Sequence, residues 1–300
     1  MTEVRDSPTL APDQLSAAEL AERFGMARAG ARPPLLAYLR DLWGRRHFIA
    51  SYTRATTAAT YSSSFLGQIW QVLTPLLNAA VYFFVFGYLL ATKRSIHNFI
   101  GYLTIGIFIF SYMQNAIIHG SRSVTANINI IRALHFPRAT LPLGTTAIAF
   151  QQLLASLLAM LPIVLLTGEP IRWTWLEIVP IVFLESLFAL GVALIVARIG
   201  AAIPDTSQFL PFVLRTWLYL SGIFYSIYKF TEHHSHWVRL VLEFNPGAVY
   251  PELTRHALLT AGKQDPLTAH VWTAAIGWAV VAVVVGMLYF WHGEEQYGRG

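Results

Sequence analysis

The stretch VWTAAIGWAVVAVVVGMLYFWH, residues 271–292, decides the fold. It carries no Asp, Glu, Lys or Arg, and its Trp, Tyr and Phe residues gather toward the two ends. Crossing the hydrocarbon of a bilayer takes about 20 mostly apolar residues, and aromatic side chains favour the two interfaces. The run therefore predicts a membrane-spanning helix. Five further stretches of similar character precede it, at about 68–91, 99–121, 141–167, 174–197 and 208–228. Six spans place both termini on one side of the membrane.

Composition agrees. The chain has 300 residues, 55% hydrophobic and 12% charged, with a mean hydropathy of +0.50. A soluble domain carries about 25% charged residues. Lipid explains the shortage, because a charge at the centre of a membrane helix costs about 2.5–3.5 kcal/mol. The net charge of +5 suits an anionic leaflet or an anionic substrate. The basic residues are scattered rather than gathered on one face, which argues against nucleic acid as a partner.

Several chemistries are absent. Without cysteine there is no disulfide, thiolate metal site or Cys nucleophile. No G-x-x-x-x-G-K-[ST] occurs, so the chain has no P-loop of its own for ATP, and it has no H-E-x-x-H or G-x-S-x-G. EHHSH, residues 232–236, is the nearest approach to a metal site, but the adjacent His233 and His234 diverge on any regular element. It reads as a solvated loop, and no metal ligand is assigned.

The polar flanks are informative. Residues 1–34 lack the apolar core of a secretory signal and read as a flexible cytoplasmic tail, with Ser16 and Glu19 as a weak capping box. In residues 35–60, Leu35, Leu39, Leu42 and Trp43 recur at helical spacing, Arg40, Arg45 and Arg46 take other positions, and Asp41–Arg45 forms an i,i+4 pair. This predicts a helix in the membrane interface or, alternatively, one packed on a partner. Between spans five and six, WVRLVLEFNPGAVYPELTRHALL contains two half-length apolar pieces broken at Asn245-Pro246-Gly247 and Pro251. They are too short to span, which leaves a re-entrant hairpin or an amphipathic surface loop. Arg and Lys near the membrane ends are almost balanced between the two sides, so charge does not orient the chain.

Polar residues inside spans need a reason. Glu185 in span four and Arg215 in span five differ in depth by roughly 8 Å. An interhelical ion pair is the favoured expectation; a path for an anionic substrate is the alternative. Asn78, Gln114, Asn115, Gln151 and Gln152 either join helices or face a wet channel. Aromatic residues are dense in span one (Tyr82, Phe86) and in span five (Trp217, Tyr219, Phe224, Tyr225). They pack or face lipid, or else present faces on which sugar rings stack.

NINIIRALHFPRATLP, residues 127–142, interrupts spans two and three. Ile128, Ile130, Ile131 and Leu134 give it an apolar side, and Arg132, His135 and Arg138 a basic one. A short amphipathic helix ended by Pro137 is expected at the membrane surface.

Four segments resemble the ABC-2 type permease subunits of bacterial polysaccharide exporters. They are YSSSFLGQIWQVLTPLLNAAVYFFVFG (61–87), with Ser64, Leu66, Gly67, Trp70 and Pro75; Asn127 to Pro142 with Phe136-Pro137-Arg138; LRTWLYLSGIFYS (214–226), where Gly222 replaces a common Pro; and Asn245-Pro246 followed by Arg255. The likeness covers residues 35–300. It implies an all-α polytopic membrane protein: six transmembrane helices, an N-terminal amphipathic interfacial helix, and short re-entrant helices between spans five and six. It further implies a homodimer with two copies of a separate ABC ATPase, which binds the ATP and Mg, while this chain binds no cofactor. The substrate implied is a glycan on a polyprenyl diphosphate lipid, exported across the bacterial cytoplasmic membrane with both termini cytoplasmic. Arg over Lys, 18 to 3, and the Ala bias resemble an actinobacterial member that exports a galactan.

The resemblance distributes roles. Asn127, Asn129, Arg132, His135, Phe136, Pro137 and Arg138 are expected to meet the ATPase. Tyr82, Phe86, Arg215, Trp217, Tyr219, Phe224 and Tyr225 are expected along the conduit. Trp43, Arg46 and Arg54 are expected at the interface, where Arg54, Arg132 and Arg138 either meet the carrier diphosphate or anchor helices to anionic lipid. Two rival readings are an exporter of teichoic acid or small hydrophobic compounds, and a polytopic glycosyl- or acyltransferase. The second would need clustered acids or a His base, which the sequence does not offer.

Overall fold

The computed structural model describes residues 33–61, 65–89, 96, 98–134, 136–232, 236–260, 270–295 and 297. The tail through residue 32, its Ser16/Glu19 box, His135 and the centre of EHHSH lie outside the described residues. Helices α1 (Leu35–Gly44) and α2 (Arg46–Tyr61) lead into α3 (Trp70–Tyr82), which continues as a π-helix over Phe83–Leu89. Then come α4 (Phe99–Arg122), the short α5 (Ile128–Ala133), α6 (Thr140–Leu166), α7 (Ile178–Ala202), α8 (Thr206–Leu220), α9 (Ile227–Thr231), α10 (His236–Glu243), α11 (Pro246–Leu258) and α12 (His270–His292). The protein is a multi-pass, all-α membrane protein.

Among the described residues five helical stretches are long and apolar enough to cross a membrane: 70–89, 99–122, 140–166, 173–202 and 270–292. The expected span at 208–228 is divided. Its helix α8 has 15 residues, about 22 Å at 1.5 Å per residue, against a hydrocarbon core of about 30 Å. It stops because Gly222 takes φ +61, a left-handed conformation that glycine adopts without steric cost.

The centre of the bundle is α4: 78% of its span window is buried, against 11% for α3. Helices α7 and α12 meet backbone to backbone, since a Cβ on Gly191 would run into the Ala282 backbone and one on Gly286 into the Gly191 carbonyl. Small residues permit this approach, the usual source of helix adhesion in lipid.

Prolines supply two further joints. A helical Pro removes the N–H that would serve the carbonyl four residues earlier. Pro75 frees the Gln71 carbonyl, which accepts from Ser156 Oγ on α6 at 3.4 Å. Pro211 frees the Ser207 carbonyl, which accepts from the Arg122 guanidinium at the end of α4 at 3.1 Å.

Three sequence expectations change. The helix expected over 35–60 is two helices, turned at Arg45 (φ −86, ψ 10). Tyr38 and Leu42 are buried, while Leu36 and Trp43 are exposed and leave an apolar face uncovered. The Asp41–Arg45 pair forms at 3.8 Å, as expected. The helix in 127–142 ends at Ala133, with Leu134 already extended. Termination thus comes several residues before Pro137, which restricts only Phe136 directly.

The Glu185–Arg215 ion pair does not form. Glu185 is 1% exposed on the inner side of α7, with Oε2 lacking a hydrogen-bond partner, whereas Arg215 is exposed on α8. The two side chains leave their helices toward different neighbours.

Candidate transport pathway and coupling surface

The segment between α8 and α12 divides its two expected readings. Helix α10 is peripheral, with Trp237 and Val241 exposed, but α11 is buried along most of its length. Asn245 and Pro246 begin α11 as cap and first residue, the arrangement in which a missing N–H costs nothing. The Asn245 side chain accepts from Gly247 N at 3.0 Å and from Trp217 Nε1 at 2.6 Å, and donates to the Leu220 carbonyl at 3.1 Å.

At the far end of α11, Arg255 is 2% exposed. Its guanidinium donates to the carbonyls of Tyr102 (3.1 Å), Gly222 (3.1 Å) and Ile223 (3.2 Å), pairs with Glu252 at 3.2 Å, and lies 3.4 Å from the Tyr102 ring centroid. The Tyr102 hydroxyl donates to the carbonyls of Gly222 and Tyr225, both at 2.9 Å. Breaking a helix within lipid frees carbonyls that need donors. Asn245, Arg255 and Tyr102 supply them, so the interrupted end of α8 is a built feature. Sequence reasoning marked Asn245-Pro246 and Arg255 without seeing this task.

The turn held in this way carries Phe224 into an aromatic cluster. Its ring lies 4.3 Å from Phe86, 4.8 Å from Tyr82 and 5.4 Å from Tyr219. The Tyr82 hydroxyl meets Tyr219, with the charge of Arg215 close by. Five of the seven residues expected along the conduit thus gather between α3 and α8. The other two do not join them. Tyr225 packs on Phe230 at 5.1 Å, and Trp217 turns inward to Asn245 and sets its ring against Phe110 at 6.1 Å.

At the opposite end of the bundle the residues expected to meet a partner separate into two kinds. Arg132 and Asn129 are exposed. Asn127 is tied down: its amide donates to Ser123 O at 2.8 Å and its Oδ1 accepts from Tyr52 at 3.3 Å. Phe136 packs on Phe48 at 5.6 Å and Pro137 is buried. Arg138 belongs to a junction with Glu294. Its backbone N–H donates to Glu294 Oε1 at 2.9 Å and its guanidinium to the Glu294 carbonyl.

The same carboxylate accepts from the Tyr38 hydroxyl at 2.9 Å, and Tyr38 accepts from Ala139 N at 3.1 Å. Burial raises the Glu294 carboxyl above its ordinary value, only partly offset by the Arg138 N–H, the Tyr38 hydroxyl and the Arg138 charge. Tyr38 and Glu294 were not singled out from sequence; no local pattern joins residues this far apart. Trp43, Arg46 and Arg54, the residues expected at the interface, are all exposed, with Arg46 lying 5.8 Å from the Trp43 ring centroid.

Uncovered apolar and basic surface at one end, and at the other a pinned break with an aromatic cluster beside it, describe a membrane component that works with partners. The family model for ABC-2 type transporters matches residues 47–259, and the chain belongs to that family. It is the membrane subunit of a transporter rather than an enzyme, and an ABC ATPase is its implied partner. Among its relatives are two Klebsiella pneumoniae proteins named O-antigen export system permease protein RfbA, 26% and 25% identical over 214 residues, 71% of this chain and 78% of each of theirs. A Myxococcus xanthus protein of the same name is 22% identical over 212 residues, 71% of this chain and 80% of its own. Among the described residues no group of three His, Asp or Glu is placed to hold a metal.

Proposed function

We propose that this permease exports a polysaccharide carried on a polyprenyl diphosphate lipid, a galactan-like cell-wall glycan, across the bacterial cytoplasmic membrane. Two copies of the chain would pair and bind two copies of an ABC ATPase, which would supply the ATP and Mg sites, with both termini on the cytoplasmic side. The observation that carries the reading is the aromatic cluster of Tyr82, Phe86, Tyr219 and Phe224 between α3 and α8. Such rings offer apolar faces to sugar C–H groups and phenols to sugar hydroxyls. The names of the relatives support the same substrate class.

Exposed Arg54 and Arg132 supply cations that a diphosphate would meet by charge-assisted hydrogen bonds, and Arg215 supplies another beside the cluster. Exposed Arg132 and Asn129 form the free part of the ATPase-facing surface, on a segment that Arg138 and Glu294 fasten to α1. Motion of the partner would thereby reach the interfacial helices.

The test is reconstitution of the chain with its ATPase in liposomes containing the glycan lipid. ATP-dependent appearance of the glycan on the far leaflet is expected, with no covalent change to it. Translocation without ATPase or ATP, or transport of hydrophobic dyes with the glycan lipid left in place, would refute the reading.

A further inference from the structure

A cavity of about 320 Å³ lies between α3, α4 and α6, on the half of the bundle nearer the N-terminal helices. Its wall is polar and carries one imidazole, that of His119. Gln71, Thr74, Asn78, Ser111, Gln114 and Asn115 line it, with further polar groups from α6, and no Asp, Glu, Lys or Arg takes part. Within the described residues the side-chain amides of Asn78, Gln114 and Asn115 have no hydrogen-bond partner. Asn78 is exposed and Gln114 and Asn115 are half-buried, so the three amides are open to the cavity, and polar groups at membrane depth favour an occupant that hydrogen-bonds.

Two observations narrow the occupant. A ligand without charge is favoured, because a charged group moved into a site with no carboxylate, ammonium or guanidinium pays desolvation that only the His119 imidazole could offset. Amides both donate and accept, which matches hydroxyl groups that do the same. Trp70 adds an aromatic face to the wall. The space equals that of about ten waters at roughly 30 Å³ each. Furthermore, Asn78, Tyr82 and Phe86 follow one another at four-residue steps on a single face of the first span. The cavity therefore lies one turn from the aromatic cluster, on the same side of the helix.

We infer that this cavity is a binding site for an uncharged sugar unit, held by the amides of Asn78, Gln114 and Asn115 before it meets the aromatic rings. The inference rests on the export reading and adds a selection: neutral glycans enter, and polyanionic polymers such as polyol phosphates are disfavoured.

The chain contains no cysteine, so Asn78→Cys and Asn115→Cys can be tested singly, in the complex with its ATPase in liposomes. A neutral, hydrophilic thiol reagent should label both. A neutral galacto-oligosaccharide should slow labelling about fivefold or more, the effect of one or two hydrogen bonds of about 1 kcal/mol. Polyethylene glycol of equal size and an oligouronate should not, and Leu166→Cys should label equally throughout. Equal rates with all probes would mean a merely water-filled cavity, and no labelling in the complex would mean that a second copy fills it. Either result overturns the site. Asn115→Leu should lower glycan export by about tenfold while ATP hydrolysis persists; unchanged export counts against the site. Oligosaccharide protection in a complex that exports no glycan would sink the export reading and leave the site standing.

Discussion

Helices α3 and α4 follow each other in the chain, and both are long and apolar enough to span, yet their settings are opposite. Helix α4 is covered on nearly every side and α3 on few: 78% and 11% of their windows are buried. The covered helix carries Tyr102, whose carbonyl, ring and hydroxyl organise the broken end of α8 around Arg255. The uncovered one carries Pro75, a π-helical turn and the stripe of Asn78, Tyr82 and Phe86. Irregular helix is tolerated at membrane depth where it is buried in protein or lines a water-filled space. The contrast separates a helix that holds the structure from one that presents a surface.

The largest effect should come from the covered side. Arg255→Ala removes a buried donor from three carbonyls, leaves that of Ile223 without its guanidinium donor and unpairs Glu252, at about 1–3 kcal/mol for each unsatisfied group. A drop of several kcal/mol in stability is expected, seen as early unfolding and poor recovery in detergent. Arg255→Lys should rescue only part, since an ammonium lacks the planar fork of donors. Full stability of the alanine variant would remove the structural role assigned to the α4 side.

On the uncovered side the expected damage is to transport. Phe86→Ala, at a half-buried position stacked on Phe224, should leave the complex folded and admit solutes that the wild type excludes, measured as leak from liposomes. A tight barrier in the variant would show that the ring cluster closes nothing. Arg132→Glu should leave stability within about 0.5 kcal/mol, as for an exposed site, while uncoupling ATP hydrolysis from export. Arg138 is the poorer choice for that experiment, because its reversal would also disturb Glu294 and Tyr38.

The smallest effect is one of pH. The Glu294 carboxyl is raised in the fold, so its protonated form is favoured there. Its contribution to stability is complete below the ordinary carboxylate value and is lost as pH rises through the raised one. Thermal unfolding in detergent should show this slope, and Glu294→Gln should flatten it. An unchanged slope in the variant would assign the dependence to another group.

Much of the fold was legible because lipid imposes a simple rule: long apolar runs must become helices. Residues 271–292 obey it from end to end. The division of 208–228 was not legible, since the stretch reads as one apolar run and the donors that allow a break, Arg255 and Tyr102, come from distant parts of the chain. The amphipathic pattern of 128–134 announced a short surface helix. It could not tell free Arg132 from engaged Arg138, because the distinction depends on Glu294 more than 150 residues away. For the aromatic residues, composition marked the helices between which the cluster forms, but only packing put Trp217 inside and Phe224 in the cluster.

The most direct measurement is photocrosslinking of a glycan lipid with a photoreactive sugar to the complex during ATP turnover, mapped by mass spectrometry. The account predicts adducts on the α3 stripe and the facing side of α8, at Asn78, Tyr82 and Tyr219. Adducts confined to the lipid-facing sides of α6, α7 and α12, with none on α3, would contradict it.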